Sequence, residues 1–248
     1  MIRQIVSSAL FIVYTLVGVF SALGSRLFDR SGDAVLWMAR IWSWLILSTA
    51  GVKVTVRFAE PLDRRRPYIF MPNHVSALDI WALYVAVPIP LRMIAKKQLG
   101  DIPLFGWAMR AGRFIFIDRQ NPASARRSID DATGFIRQGH SVLIFPEGTR
   151  TRDGKLGPFK KGGFHLAINS GAAIVPIAIR GARELMPRGQ LRIKSGQVTV
   201  DIGAPIATDG LGDRDREPLL DRLRGIILEM TGEVPSAAST GTQDKGTA

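Results

Sequence analysis

Apolar and polar positions divide the chain into three stretches. Residues 4–25 carry no charge. As a helix rising about 1.5 Å per residue, that run is long enough to reach across a bilayer. Arg26, Asp29, Arg30 and a Ser31-Gly32-Asp33 turn interrupt it. A second apolar run, 34–52, is broken by Arg40 and carries Trp37, Trp42 and Trp44. Tryptophans beside an arginine suit a headgroup interface better than a bilayer centre. The pattern predicts a helical hairpin over 1–50 that dips into one leaflet, in preference to one or two true spans.

From Gly51 the period changes. Val52, Val54, Val56 and Phe58 alternate with polar residues, as in a half-buried strand. Short apolar runs at 68–71, 92–95, 114–117, 142–145, 174–179 and 198–202 predict further strands. Helices are predicted over 78–87, over 124–138 with a stop at Gly139, and over 162–169 with a stop at Gly171. Leu219, Leu220, Leu223, Ile226, Ile227 and Met230 mark one face of a last helix. Strands interleaved with helices predict an α/β domain over 51–232. Residues 233–248 are rich in Ser, Thr, Gly and Ala and are expected to be a disordered tail.

Composition narrows the function. Hydrophobic residues make up 46% of the 248, enough for a large core. Lys and Arg number 33 against 21 Asp and Glu, a net charge of +12. Such an excess implies an anionic partner: nucleic acid, an acidic membrane surface or an anionic substrate. The chain has no cysteine, so disulfides, thiolate metal sites and a cysteine nucleophile are excluded. No nucleic-acid motif is visible, and the basic residues are not interleaved with stacking aromatics.

Two segments stand out chemically. Pro72-Asn73-His74-Val75-Ser76-Ala77-Leu78-Asp79 follows a strand and enters a helix. His74 and Asp79 can meet if the histidine sits in the turn and the aspartate in the first helical turn. Asp79 would then fix the imidazole tautomer and leave the other ring nitrogen as a base. Ser76 to Asp79 also fits a capping box, in which Asp79 reaches back to the backbone. The second segment is Phe145-Pro146-Glu147-Gly148-Thr149-Arg150, at a strand end. Gly148 permits close backbone approach, successive amides there can form an anion nest, and Arg150 can fork onto a phosphate. Glu147 could hold that arginine or accept from a substrate hydroxyl. Arg119, after the strand ending Ile117-Asp118, is a second phosphate candidate.

The Asn73–Asp79 pattern, Phe116-Ile117-Asp118-Arg119, the Phe145–Arg150 string and Val175-Pro176-Ile177 stand in this order and at these spacings. Together they resemble the lysophosphatidic acid acyltransferases, the 1-acyl-sn-glycerol-3-phosphate acyltransferases of the glycerolipid acyltransferase superfamily. The resemblance implies a mixed-sheet α/β acyltransferase domain preceded by a membrane-embedded two-helix segment. It implies His74 as general base with Asp79 orienting it, and no acyl-enzyme. Arg119, Glu147, Gly148, Thr149 and Arg150 would bind the glycerol phosphate. No metal or other cofactor is required. The substrates would be lysophosphatidic acid and an acyl thioester, acyl-CoA or acyl carrier protein. The expected location is the cytoplasmic face of a membrane, a bacterial inner membrane, with an anionic lipid surface as partner and no nucleic acid. Another lysophospholipid or a lyso-aminolipid is the alternative acceptor; a non-catalytic basic membrane-binding protein is the remote one.

Overall fold

The computed structural model describes residues 2–118, 121–190 and 192–233, of which 2–8 and 122 by backbone alone. Two long helices come first, α1 (Ile2–Ser25) and α2 (Asp33–Ala50). The body follows: β1 (Val52–Phe58), β2 (Ile69–Pro72), α3 (Leu78–Ala86), β3 (Leu91–Lys96), α4 (Lys97–Gly100), α5 (Phe105–Ala111), β4 (Ile115–Ile117), α6 (Pro122–Arg137) and β5 (Ser141–Leu143). It closes with α7 (Gly162–Ser170), β6 (Ile174–Arg180), α8 (Ala182–Leu185), β7 (Gly196–Ile202) and α9 (Arg216–Thr231). Seven strands form one sheet in the order β1-β7-β6-β2-β5-β3-β4. Only the β6–β7 pair is antiparallel.

The central strands are unbroken apolar runs because both their faces are covered. Phe70, Leu143, Val175 and Ile177 face a core shared with α3 and the end of α2. Ile69, Met71, Val142 and Ile174 face the opposite core, made with α6, α7 and α9. Each such side chain, fully buried, contributes roughly 1.5–3 kcal/mol. Pro176 is tolerated in β6 because pairing with β7 begins only at Ile177↔Ile202. Its carbonyl accepts from Gly203 (2.9 Å).

Every strand and helix expected from periodicity forms, with shifted ends. The helix expected from 124 begins at Pro122, because Asn121 caps it through Ser124 N (3.0 Å) and proline suits the first position. Helices α4, α5 and α8 were not expected. At four, seven and four residues they are too short to show a period. Glu233, placed with the tail by composition, accepts from Leu156 N at 2.8 Å. Residues 234–248, the rest of the expected tail, lie outside the described residues.

The two leading helices pack against each other as a hairpin. Among the described residues no helix is long and apolar enough to cross a membrane. The hairpin is bolted to the body. Arg92 on β3 is 1% exposed and donates to Asp33 Oδ1 (2.6 Å) and to the Ser31 carbonyl (3.0 Å). Its guanidinium also lies 4.9 Å from the centre of the Phe135 ring. Gly32 has φ +81°, and a Cβ there would stand 2.7 Å from the Ala111 carbonyl oxygen. Arg40, expected to face headgroups, instead donates to the Val87 carbonyl at the end of α3 (2.7 Å). Trp42 turns inward as well, donating to Thr15 Oγ1 (3.2 Å) and meeting Trp81 edge-on.

Asn73 closes the end of β2. Its amide donates to Ile179 O (3.1 Å) and its carbonyl oxygen accepts from Ile179 N (2.7 Å), mimicking one more strand residue. Asn73→Ala strands both groups of Ile179 in the core and should cost roughly 2–4 kcal/mol, read as a lower urea midpoint at unchanged slope.

Candidate active site

The two chemical segments lie at the carboxyl ends of neighbouring parallel strands, β2 and β5. From β2 the chain crosses one face of the sheet through α3 towards β3. From β5 it crosses the other face through α7 towards β6. The connections leave in opposite directions and open a crevice between the strand ends, the usual place for a ligand in such sheets.

His74 sits in the turn before α3, its side chain 12% exposed. Its Nδ1 lies 2.8 Å from Asp79 Oδ2. The same oxygen accepts from Val75 N and Ser76 N, each at 2.8 Å. Amides can only donate, so Oδ2 is an acceptor and the imidazole supplies the proton from Nδ1. The tautomer is thereby fixed with a bare Nε2, which has no hydrogen bond among the described residues. The ring stacks on Phe145 with centroids 3.7 Å apart and planes at 19°. Ser76 is no nucleophile: its Oγ donates to Met186 O (2.6 Å) and accepts from Leu78 N (3.1 Å). It caps the helix, as the capping-box reading has it, though through Leu78.

The second segment turns at Gly148, with φ +72° and its amide donating to Phe145 O (3.0 Å). A Cβ there would press within 3.0 Å of the Lys160 side chain. Thr149 is exposed and Arg150 half-buried. Glu147 forms no ion pair with Arg150. Its Oε1 accepts from His74 N (2.7 Å) and its Oε2 from Gly157 N (2.9 Å). Thr151 N donates to His74 O (2.9 Å). Both backbone groups of residue 74 are therefore held by the arginine-bearing loop. Arg119 lies outside the described residues.

The structure brings His74, Asp79, Glu147 and Gly148 together around one turn, with Thr149 and Arg150 on the same loop. Phe145 and Asn73 carry roles that sequence reasoning did not assign, though both stand inside the segments it singled out. Val175-Pro176-Ile177 is core, touching the site only through the strand that Asn73 joins.

A histidine–aspartate dyad beside a turn that carries an arginine suits general-base chemistry on an anionic substrate. A family model described as Acyltransferase matches residues 53–180. The human 1-acyl-sn-glycerol-3-phosphate acyltransferase alpha is 33% identical over 192 residues, 77% of this chain and 68% of its own length. The 1-acyl-sn-glycerol-3-phosphate acyltransferase of Limnanthes douglasii is 37% identical over 166 residues, 66% of this chain and 58% of its own. The crystal structure of the 1-acyl-sn-glycerophosphate (LPA) acyltransferase PlsC from Thermotoga maritima superposes with a TM-score of 0.79 at 25% identity. That match covers 93% of this chain and 95% of the other. The chain belongs to the lysophosphatidic acid acyltransferase family.

Burial beside the Asp79 and Glu233 carboxylates pushes Glu147 up to about 7, against the pull of its two amide donors. A raised carboxyl pKa means that the fold favours the neutral acid. Stability from this group is full below its ordinary value of 4.5 and is lost as pH rises through about 7. Glu147→Gln cannot titrate. Relative to the wild type it should gain roughly 3 kcal/mol between about pH 4.5 and 8 in denaturant unfolding. Parallel pH profiles would show that Glu147 does not titrate in this window.

Proposed function

We propose that the protein transfers an acyl chain from an acyl thioester, acyl-CoA or acyl carrier protein, to the 2-hydroxyl of lysophosphatidic acid, making phosphatidic acid. The observation that carries the reading is the His74–Asp79 pair, with Nε2 bare and the Gly148–Arg150 turn alongside. His74 Nε2 takes the proton of the acceptor hydroxyl as its oxygen attacks the thioester carbonyl. The new C–O bond forms, the C–S bond breaks, and His74 returns the proton to the leaving thiolate. Asp79 holds the ring and balances its transient positive charge. Arg150, with Arg119 as the second candidate, pairs with the acceptor phosphate, and the backbone at Gly148 and Thr149 gives it room. Glu147 serves the same phosphate only by shaping the loop that presents it.

The site works at a membrane in this reading, on the cytoplasmic face where the thioester is made. Leu27 and Phe28 at the hairpin turn are 82% and 91% exposed, and Trp37, Ile41, Trp44 and Trp107 are exposed as well. An apolar surface of this extent marks an interaction site, and the excess of basic charge adds attraction to anionic lipid. The paired helices would lie in one leaflet, with 51–232 as the catalytic body.

Acyl transfer by purified protein in mixed micelles tests the reaction. Lysophosphatidic acid should be preferred over lysophosphatidylcholine, lysophosphatidylethanolamine and a lyso-aminolipid; preference for another acceptor reassigns the product. His74→Ala should lower turnover by roughly 10²–10⁴ with fold and vesicle binding intact. Retained turnover would remove His74 as the base. Leu27→Ser with Phe28→Ser should weaken flotation with anionic vesicles by at least about tenfold, since each side chain is worth roughly 1.5–3 kcal/mol on burial. Unchanged flotation would show that the hairpin turn does not enter the lipid.

A further inference from the structure

Two segments border the His74 turn without belonging to either motif. The loop 151–160 reaches it through Thr151 N on His74 O, and the stretch 182–188 reaches it through Met186 O on Ser76 Oγ. Arg150, Arg152, Lys155, Lys160, Arg183 and Arg188 gather along this border. Among the described residues none of the six has a carboxylate within 4.0 Å, whereas Arg180, Arg216 and Lys161 elsewhere on the body each have one. The cations are not splayed apart either. Arg188 Nη1 donates to the carbonyl of Arg150 (2.9 Å), and Arg183 Nη2 to the carbonyl of Arg152 (3.1 Å). Each bond fixes a guanidinium and leaves its other N–H groups to bind an anion.

We propose that Arg183 and Arg188 form a second phosphate-binding site, distinct from Arg150, for the phosphate end of the acyl donor's carrier. The inference rests on the acyl-transfer reading for the donor's identity. Without an acyl-enzyme both reactants must stand at His74 together, and both are anionic. One acceptor phosphate is met by Arg150 in that reading, with Arg119 as its second candidate, which leaves the Arg183–Arg188 pair unmatched. The donor brings its own phosphates: a diphosphate and a ribose phosphate in coenzyme A, one phosphodiester on the pantetheine arm of a carrier protein. Placement agrees. The base is nearly enclosed while Arg188 is exposed. A long donor placing its thioester at His74 keeps its phosphate end in water, over this outer pair.

Binding tests this without turnover. The full chain in detergent micelles is titrated calorimetrically with coenzyme A and, separately, with glycerol 3-phosphate. Arg183→Gln with Arg188→Gln, both on the surface, should weaken coenzyme A by at least about tenfold and leave glycerol 3-phosphate nearly unchanged. Arg150→Gln should do the reverse. Equal coenzyme A affinity in variant and wild type overturns the proposal. So does a loss confined to glycerol 3-phosphate, which gives the pair to the acceptor. Repeating the titration with 4′-phosphopantetheine separates the carriers: a persistent wild-type advantage places the contact on the phosphate both share, a vanished one on coenzyme A alone. In transfer assays the double variant should raise the KM of the acyl donor and spare kcat and the acceptor KM. Coenzyme A binding through the pair in a protein that transfers nothing would keep the inference and sink the reaction. Transfer with unaltered coenzyme A binding would do the opposite.

Discussion

One carboxylate oxygen organises the catalytic end of this protein. Oδ2 of Asp79 accepts from His74 Nδ1, Val75 N and Ser76 N, all at 2.8 Å. Asp79 is fully buried. Two of those bonds fix the turn that leads into α3, and the third orients the His74 ring. The capping reading and the catalytic reading of this segment are therefore the same interaction. A spacing of five residues allows it because His74 lies in the turn, outside the helix. The arrangement needs a rigid foundation, and β2 supplies it: four residues buried in mid-sheet, with Asn73 stitched to Ile179 as though the strand ran one residue further.

The sequence carried most of the fold where burial is simple. The central strands read as strands because both faces are covered and their residues are uniformly apolar. The long helices read as helices because one face is. Strand order left no local trace, nor did the reversal that makes β7 antiparallel to β6, since both arise from which surfaces fit after collapse. Arg92 marks another limit. A charged residue at the edge of an apolar run reads as the exposed end of a strand, yet its partners, Asp33 and the Ser31 carbonyl, lie about sixty positions away. Within the site, residue types revealed the chemistry but not its geometry. An acid beside an arginine in a turn suggested that the two pair or that the acid meets substrate. The fold places Glu147 under two backbone amides instead.

The hairpin shows how distant tethers set the direction of a surface. A buried arginine is costly unless its donors are met, and it is retained where it fixes one arrangement among several. Arg92 does this at the α1–α2 turn, Gly32 removes the space for anything bulkier, and Arg40 adds a bond to the last carbonyls of α3. The arginine that interrupts the second apolar run is half-buried, with its guanidinium over the Trp37 ring, and Trp37, Ile41 and Trp44 are exposed beside it. Because α3 carries Asp79 in its first turn and is followed by Val87, whose carbonyl Arg40 grips, one helix connects the hairpin to the His74 turn.

The same economy governs the two halves of the site. The amide of His74 is held by Glu147 and its carbonyl by Thr151, so the loop that carries Arg150 also carries the backbone of the base. Neither half can shift alone. Phe145 extends the coupling to the side chain, since the ring on which His74 stacks stands at the root of that loop. Proton transfer requires the base within hydrogen-bonding reach of its hydroxyl. In the proposed reaction, tying His74 and the loop to one set of bonds makes that distance depend on the loop's position.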